Sequence, residues 1–266
     1  MTSQPHGHLS TALTLWPGLS TLAASSCPEA LRLISAAPLP RLQKLSVSYK
    51  PLPPDEWSVA KLSSTAAAGL RELHMRSTHE RLRPCLSIEA VASFAHLTKL
   101  SLEGSTIPDL SPLGQLGQLV ELCIEGSRMA DLSPVVDCTQ IVKLSLEGSK
   151  WPALNLTQLR SVPHLRELNI SKSQEMGCVD HKFTEEKGEE EDYKTFHDRE
   201  EMQLTNLEGI QACTGLERLQ MTGCDKVTSI AALSACAELK YLNLVISTAK
   251  PRSDSDEFDS DEPGSE

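Results

Sequence analysis

The sequence predicts an α/β solenoid, with a parallel β-sheet on its concave side and irregular, 3₁₀ and short-helical returns on its convex side. Three observations lead there. LTKLSLEGS (97–105), LVELCIEGS (119–127) and IVKLSLEGS (141–149) are near copies at a period of 22 residues. Self-similarity at such a period marks stacked units that bury a hydrophobic face only against one another. The same LxxLxL frame then recurs along most of the 266 residues. Between frames, Ile107-Leu110-Leu113-Leu116 and Met129-Leu132-Val135-Cys138 continue at a three-residue step. That is the spacing of a 3₁₀ or short helical return.

In chain order, the weakest frame is Leu19-Leu22-Ala24, followed by Leu42-Leu45-Val47 and Leu70-Leu73-Met75. The three near copies come next. Leu165-Leu168-Ile170, Leu216-Leu219-Met221 and Leu239-Leu242-Leu244 complete the series. Frame starts are 23, 28, 27, 22, 22, 24, 51 and 23 residues apart. Nine parallel strands at about 4.8 Å would give a sheet of roughly 38 Å along the axis, a surface of protein dimensions. The sequence therefore divides into 1–18 (an N-terminal segment with a partial repeat), repeats over 19–173, an insertion over 174–203, repeats over 204–247, and a tail over 248–266.

These motifs resemble the leucine-rich repeat family, whose consensus opens L-x-x-L-x-L-x-x-N/C-x-L. The resemblance covers residues 19–247. IPDLSPLGQL and MADLSPVVDC are similar to the short-repeat subclass found in internalins and in the leucine-rich regulatory subunit of type 1 protein phosphatase. It implies a horseshoe that holds a protein partner on its concave sheet, with a phosphatase catalytic subunit as one candidate. Ser111-Pro112 and Ser133-Pro134 suit a helix start, Ser as cap and Pro at the first helical position. One column departs from the family: its ninth-position Asn is here Cys27, Thr78, Ser105, Ser127, Ser149, Ser173 and Cys224. Hydroxyls and thiols bond loop backbone more weakly than an amide, which predicts a looser convex turn.

Charge is unevenly placed. The chain carries 25 Lys+Arg and 36 Asp+Glu, a net of −11. Residues 174–203 and 253–266 each contribute −7, which leaves +3 for the rest. Both acidic stretches are too poor in apolar residues to offset their ordering entropy, so the composition predicts disorder. Ser253, with Asp256 three residues on, has the context of an acidophilic kinase site, where a phosphate would add charge. No run of 18 apolar residues occurs, so no spanning helix is expected. Basic residues on the body are dispersed and aromatics amount to 4%, so no nucleic-acid partner is expected.

Nothing in the sequence reads as an active site. GxSxG, GxxxxGK[ST] and HExxH are all absent, and no cofactor or metal is expected. Cys178, His181 and His197 in the insertion lack the paired CxxC spacing of a zinc site. Of the eight cysteines, Cys138, Cys213 and Cys236 take the last apolar slot of their repeats. These positions suit free, buried thiols. With no secretory signal, a cytoplasmic location follows, with the nucleus as the alternative.

Strand side chains alternate between faces, so the residues between inward leucines form concave columns. Lys44, Glu72, Lys99, Glu121, Lys143, Glu167 and Arg218 alternate in sign, a pattern that locks register through cross-strand pairs. Glu103, Glu125 and Glu147 stack like charges. At about 4.8 Å such neighbours repel by roughly 0.9 kcal/mol even at water's dielectric. Either Lys99 and Lys143 neutralise them, or they await a cationic segment of a partner. Ser101, Cys123 and Ser145 form a small polar column beside them. The candidate binding residues are therefore Ser101, Cys123, Ser145, Glu103, Glu125, Glu147, Lys99, Glu121 and Lys143. The functional expectation is a non-enzymatic intracellular scaffold, a regulatory or adaptor subunit. The alternative is an acidic-tailed nuclear protein associated with histones; a substrate selector for a ubiquitin ligase ranks third.

Overall fold

A computed structural model describes residues 18–25, 39–49, 69–78, 85–129, 132–149, 156–172, 204–224 and 226–244. The acidic insertion, the tail, Cys27, Ser173 and the Cys178, His181 and His197 group lie outside them. The strands are β1 (Thr21–Ser25), β2 (Lys44–Tyr49), β3 (Glu72–Ser77), β4 (Lys99–Glu103), β5 (Thr106–Ile107) and β6 (Glu121–Glu125). They continue with β7 (Arg128–Met129), β8 (Lys143–Ser145), β9 (Glu167–Asn169), β10 (Arg218–Gln220) and β11 (Tyr241–Asn243). Nine form one parallel sheet in the order β1-β2-β3-β4-β6-β8-β9-β10-β11, one strand for each frame read from the sequence. β5 and β7 pair separately.

Register follows the frame. The second frame leucines, Leu22, Leu45, Leu73, Leu100 and Leu122, stand directly opposite one another, and the row continues through Leu144, Leu168, Leu219 and Leu242. From Leu45 to Leu219 this row is buried. A one-residue slip would carry the whole row to solvent, which is why register is so strongly specified. Short 3₁₀ turns stack behind the sheet, among them Ser111–Gln115, Ser133–Asp137, Leu156–Ser161 and Ile210–Ala212. They bury the three-step residues Leu110, Leu113 and Leu116.

Glycine at the eighth position ends the regular strands. Gly104, Gly126, Gly148 and Gly223 have φ between 58° and 74°, the left-handed region that costs glycine nothing. This is the physical content of the EGS phrases.

The chain then closes a ninth-position ladder without asparagine. The Ser127 hydroxyl donates to the Leu102 carbonyl and accepts the Ser105 N–H. Ser149 does the same one repeat on, to the Ile124 carbonyl and from the Ser127 N–H. Each hydroxyl thus links adjacent repeats twice, and Ser105 and Ser127 are buried. A second ladder uses sulfur: the Cys138, Cys213 and Cys236 thiols donate to the carbonyls of Leu113, Leu159 and Ile210 in the repeat before.

One local expectation is corrected. Ser111 does not cap its helix but is its first residue, after Leu110. The Asp109 carboxylate accepts the Ser111 N–H at 2.7 Å and its hydroxyl at 2.8 Å, because a carboxylate two residues back closes the tighter ring.

The 51-residue step is closed as a single repeat. β9 pairs directly with β10, Glu167 opposite Arg218. Leu204, Leu207 and Ile210 are buried and supply the missing convex return. At its entry Gly209 has φ 104°, and a Cβ there would lie 2.3 Å from the Leu156 carbonyl oxygen.

Candidate binding face

The concave face presents alternate residues of the nine strands. Its third-position column pairs in twos: Lys44 Nζ lies 2.8 Å from Glu72, Lys99 Nζ 2.9 Å from Glu121, and Lys143 Nζ 3.6 Å from Glu167. The Lys44 hydrogen bond holds the Glu72 carboxyl below its ordinary range, and the bond to Glu121 raises Lys99. The column ends with the Arg218 guanidinium 4.8 Å from the centre of the Tyr241 ring, a cation–π geometry. Just before it, Glu217 takes both Arg166 at 2.6 Å and Lys240 at 2.9 Å. Hydrogen bonds from Lys240 and Arg166 keep Glu217 low.

The acidic column is not neutralised as expected. The amines of Lys99 and Lys143 go to Glu121 and Glu167, along their own row. Glu103 is met from the preceding strand by Arg76 Nε at 3.5 Å and His74 Nε2 at 3.6 Å, with Ser101 Oγ at 3.1 Å. Glu125 accepts the Ser145 hydroxyl at 2.6 Å, and Glu147 the Asn169 amide at 2.9 Å. Arg76, His74 and Asn169 are thus working members of the face that column reading missed. The signal was present, since Arg76 and Glu103 share the seventh repeat position and stand opposite each other.

Ser101, Cys123 and Ser145 line up as the floor between these columns. Burial, and then the neighbouring Glu125, push the Cys123 thiol up to about 11. It is therefore protonated near neutral pH and a poor nucleophile. Among the described residues, Cys85, Cys123, Cys138, Cys213 and Cys236 are free thiols. Among the described residues, no three His, Cys, Asp or Glu side chains converge as a metal site would require. Among the same residues, no helix is long and apolar enough to cross a membrane.

Neither a protein-family profile nor a curated protein sequence matches the chain. Solved structures do. An internalin from Listeria monocytogenes, InlF, aligns with TM-score 0.54 and 14% identity over 86% of this chain and 62% of its own. The fold is a leucine-rich repeat horseshoe. The Listeria monocytogenes protein InlP aligns with TM-score 0.54 and 12% identity over 89% of this chain and 57% of its own. The leucine-rich repeat ectodomain of the Arabidopsis receptor kinase HAESA, solved with a peptide hormone, gives TM-score 0.52 and 16% identity. That match covers 83% of this chain and 32% of that one. The horseshoe described here spans less than two thirds of each of these solved chains.

Proposed function

We propose that this chain is a non-enzymatic scaffold that takes a partner protein on its concave sheet. The observation that carries the reading is the floor of small polar side chains, Ser101, Cys123 and Ser145, set between columns of paired charges. A shallow, wide, charged face suits a macromolecule better than a small molecule, whose sites are concave pockets lined mostly by apolar groups. The HAESA ectodomain, of like fold, was solved with a peptide hormone bound, which supports a polypeptide ligand for this face as well. The free thiols among the described residues suit a reducing compartment, the cytoplasm or the nucleus.

The finer reading is a regulatory or adaptor subunit, with a phosphatase catalytic subunit as candidate partner. The acidic stretches at 174–203 and 253–266 favour the alternative of a nuclear histone-associated protein. Affinity purification of the full chain from cells that express it, followed by mass spectrometry, tests both. Ser101→Trp should block the face sterically, whereas Gln115→Trp on the convex side should not. The reading holds if a protein is retained by wild type and Gln115→Trp and lost with Ser101→Trp. The opposite pattern sinks it. A phosphatase among the retained proteins supports the regulatory subunit, and histones support the alternative.

A further inference from the structure

The concave face is electrically polar across its strands, and this sets the kind of element it can hold. At the second and third repeat positions, where the strands start, seven basic side chains stand against four acidic ones, a net of +3. At the seventh position, where they end, Arg76 stands against Glu103, Glu125 and Glu147, a net of −2. Glu103 is paired with the Arg76 guanidinium. Glu125 and Glu147 are met by neutral donors, Ser145 and Asn169. The excess negative charge is therefore focused at the end of β6 and just beyond β8, and the excess positive charge runs along the opposite rim.

The trough between the rims has a definite width. From the third to the seventh position is four residues of extended chain, about 13 Å. Midway across it the small side chains Ser101, Cys123 and Ser145 stand opposite one another. An α-helix with its side chains is about 10–12 Å across. An extended backbone would fill less of this width than a helix.

Taking the concave face as the binding surface, as argued above, we propose that the partner element is an α-helix lying along the solenoid axis. Its acidic stripe faces the strand-start rim, and its Lys/Arg stripe faces Glu125 and Glu147.

The test uses the full chain and three labelled synthetic peptides of about 18 residues, a length of roughly 27 Å as helix. One is an alanine-based helix with a Lys stripe on one side and a Glu stripe on the other. The second has the same composition with the charges interleaved, and the third is the striped peptide interrupted by proline. In fluorescence anisotropy at low salt, the striped helix should bind about tenfold more tightly than either of the others. Pairing Glu125→Lys with Glu147→Lys should weaken it about tenfold, whereas Gln115→Lys should leave it unchanged; thermal melts verify that both variants are folded. The proposal is overturned if the interleaved or proline peptide binds as well, if the charge reversal changes nothing, or if no peptide binds. Loss of cellular partners in Ser101→Trp alongside failure of the striped peptide would discard the helix and leave the scaffold reading standing.

Discussion

The repeats of β4 and β6 and those of β10 and β11 share one frame and are finished differently. The former have five-residue strands, a buried leucine row on both sides and a hydroxyl ladder behind them. The latter have three-residue strands, and at the ninth position sulfur replaces oxygen at Cys224, whose thiol donates to the Ile170 carbonyl. In β6, Leu122 is 0% exposed; in β11, Leu242 is 40% exposed, beside Tyr241 at 39%. The frame leucine is the same residue in the same slot, so its burial comes from the neighbouring layer. In a one-dimensional architecture a residue's contribution depends on having a repeat on either side.

The sharpest way to break that comparison is to delete the same side chain in both places. Leu122→Ala should cost about 2–5 kcal/mol, by lost transfer energy and the cavity left behind. Leu242→Ala should cost less than about 1 kcal/mol, because much of it already meets water. Denaturant melts of the two variants measure the difference, and equal losses would mean that the C-terminal layer is as fully packed as the centre.

Next in size is the seam beside the long insertion. Gly209→Ala places a Cβ against the Leu156 backbone at a positive φ, and should cost about 3 kcal/mol or more. Gly215→Ala, where a Cβ would meet nothing within 4 Å, should change stability by less than about 1 kcal/mol. Thermal unfolding of both proteins decides it.

The two ladders can be compared directly. Ser127→Ala strands the buried Ser105 N–H and should cost about 1–3 kcal/mol. Cys236→Ala, which removes a weaker donor near the end of the solenoid, should cost about 1 kcal/mol or less. If the serine variant is the milder one, the hydroxyl ladder is not what ties the central repeats together.

Thiol chemistry sharpens the picture without mutation. Burial pushes Cys123, Cys138 and Cys213 up to about 11. The folded state therefore favours the neutral thiols. The stability they lend is complete below the unfolded value, about 8.5, and is lost as pH rises toward 11. Iodoacetamide at pH 7.5 should modify exposed Cys85 first and these three last, as read by peptide mapping over time. Early modification of Cys123 would contradict its half-buried, anionic surroundings.

The smallest effect should come from the acidic column. Replacing Glu103, Glu125 and Glu147 together with Gln keeps the acceptors for Ser145 and Asn169, and removes the ion pair with Arg76. Stability should shift by less than about 1 kcal/mol, because exposed pairs contribute little. Binding of the striped helix should weaken and lose most of its salt dependence, since screening acts on exposed charges. Unchanged affinity with a lower melting temperature would assign the column to structure alone.

Much of this was legible in the sequence because a solenoid writes its fold locally. Nine frames, their three-step returns and the resumption at Leu204 needed only periodicity, and the alternation of Lys99, Glu121 and Lys143 needed only the side-chain period of a strand. The partners of the acidic column were harder to read. Arg76 is 27 residues before Glu103 in sequence, and only the register sets them opposite each other. Ser111 had the sequence of a cap, yet Asp109 lay nearer the right geometry. Gly209 carried no motif at all; its constraint comes from a backbone more than 50 residues away.

The direct pairing of β9 with β10 also has a kinetic consequence. Joining strands 51 residues apart rather than 22 raises the loop-closure cost by about 0.7 kcal/mol, because that entropy grows only with the logarithm of length. The step is slower but not forbidding. The unbroken 22-residue repeats around β4, β6 and β8 supply the cheapest first contacts, so folding starts there and spreads outward. The C-terminal layers then dock onto an existing template.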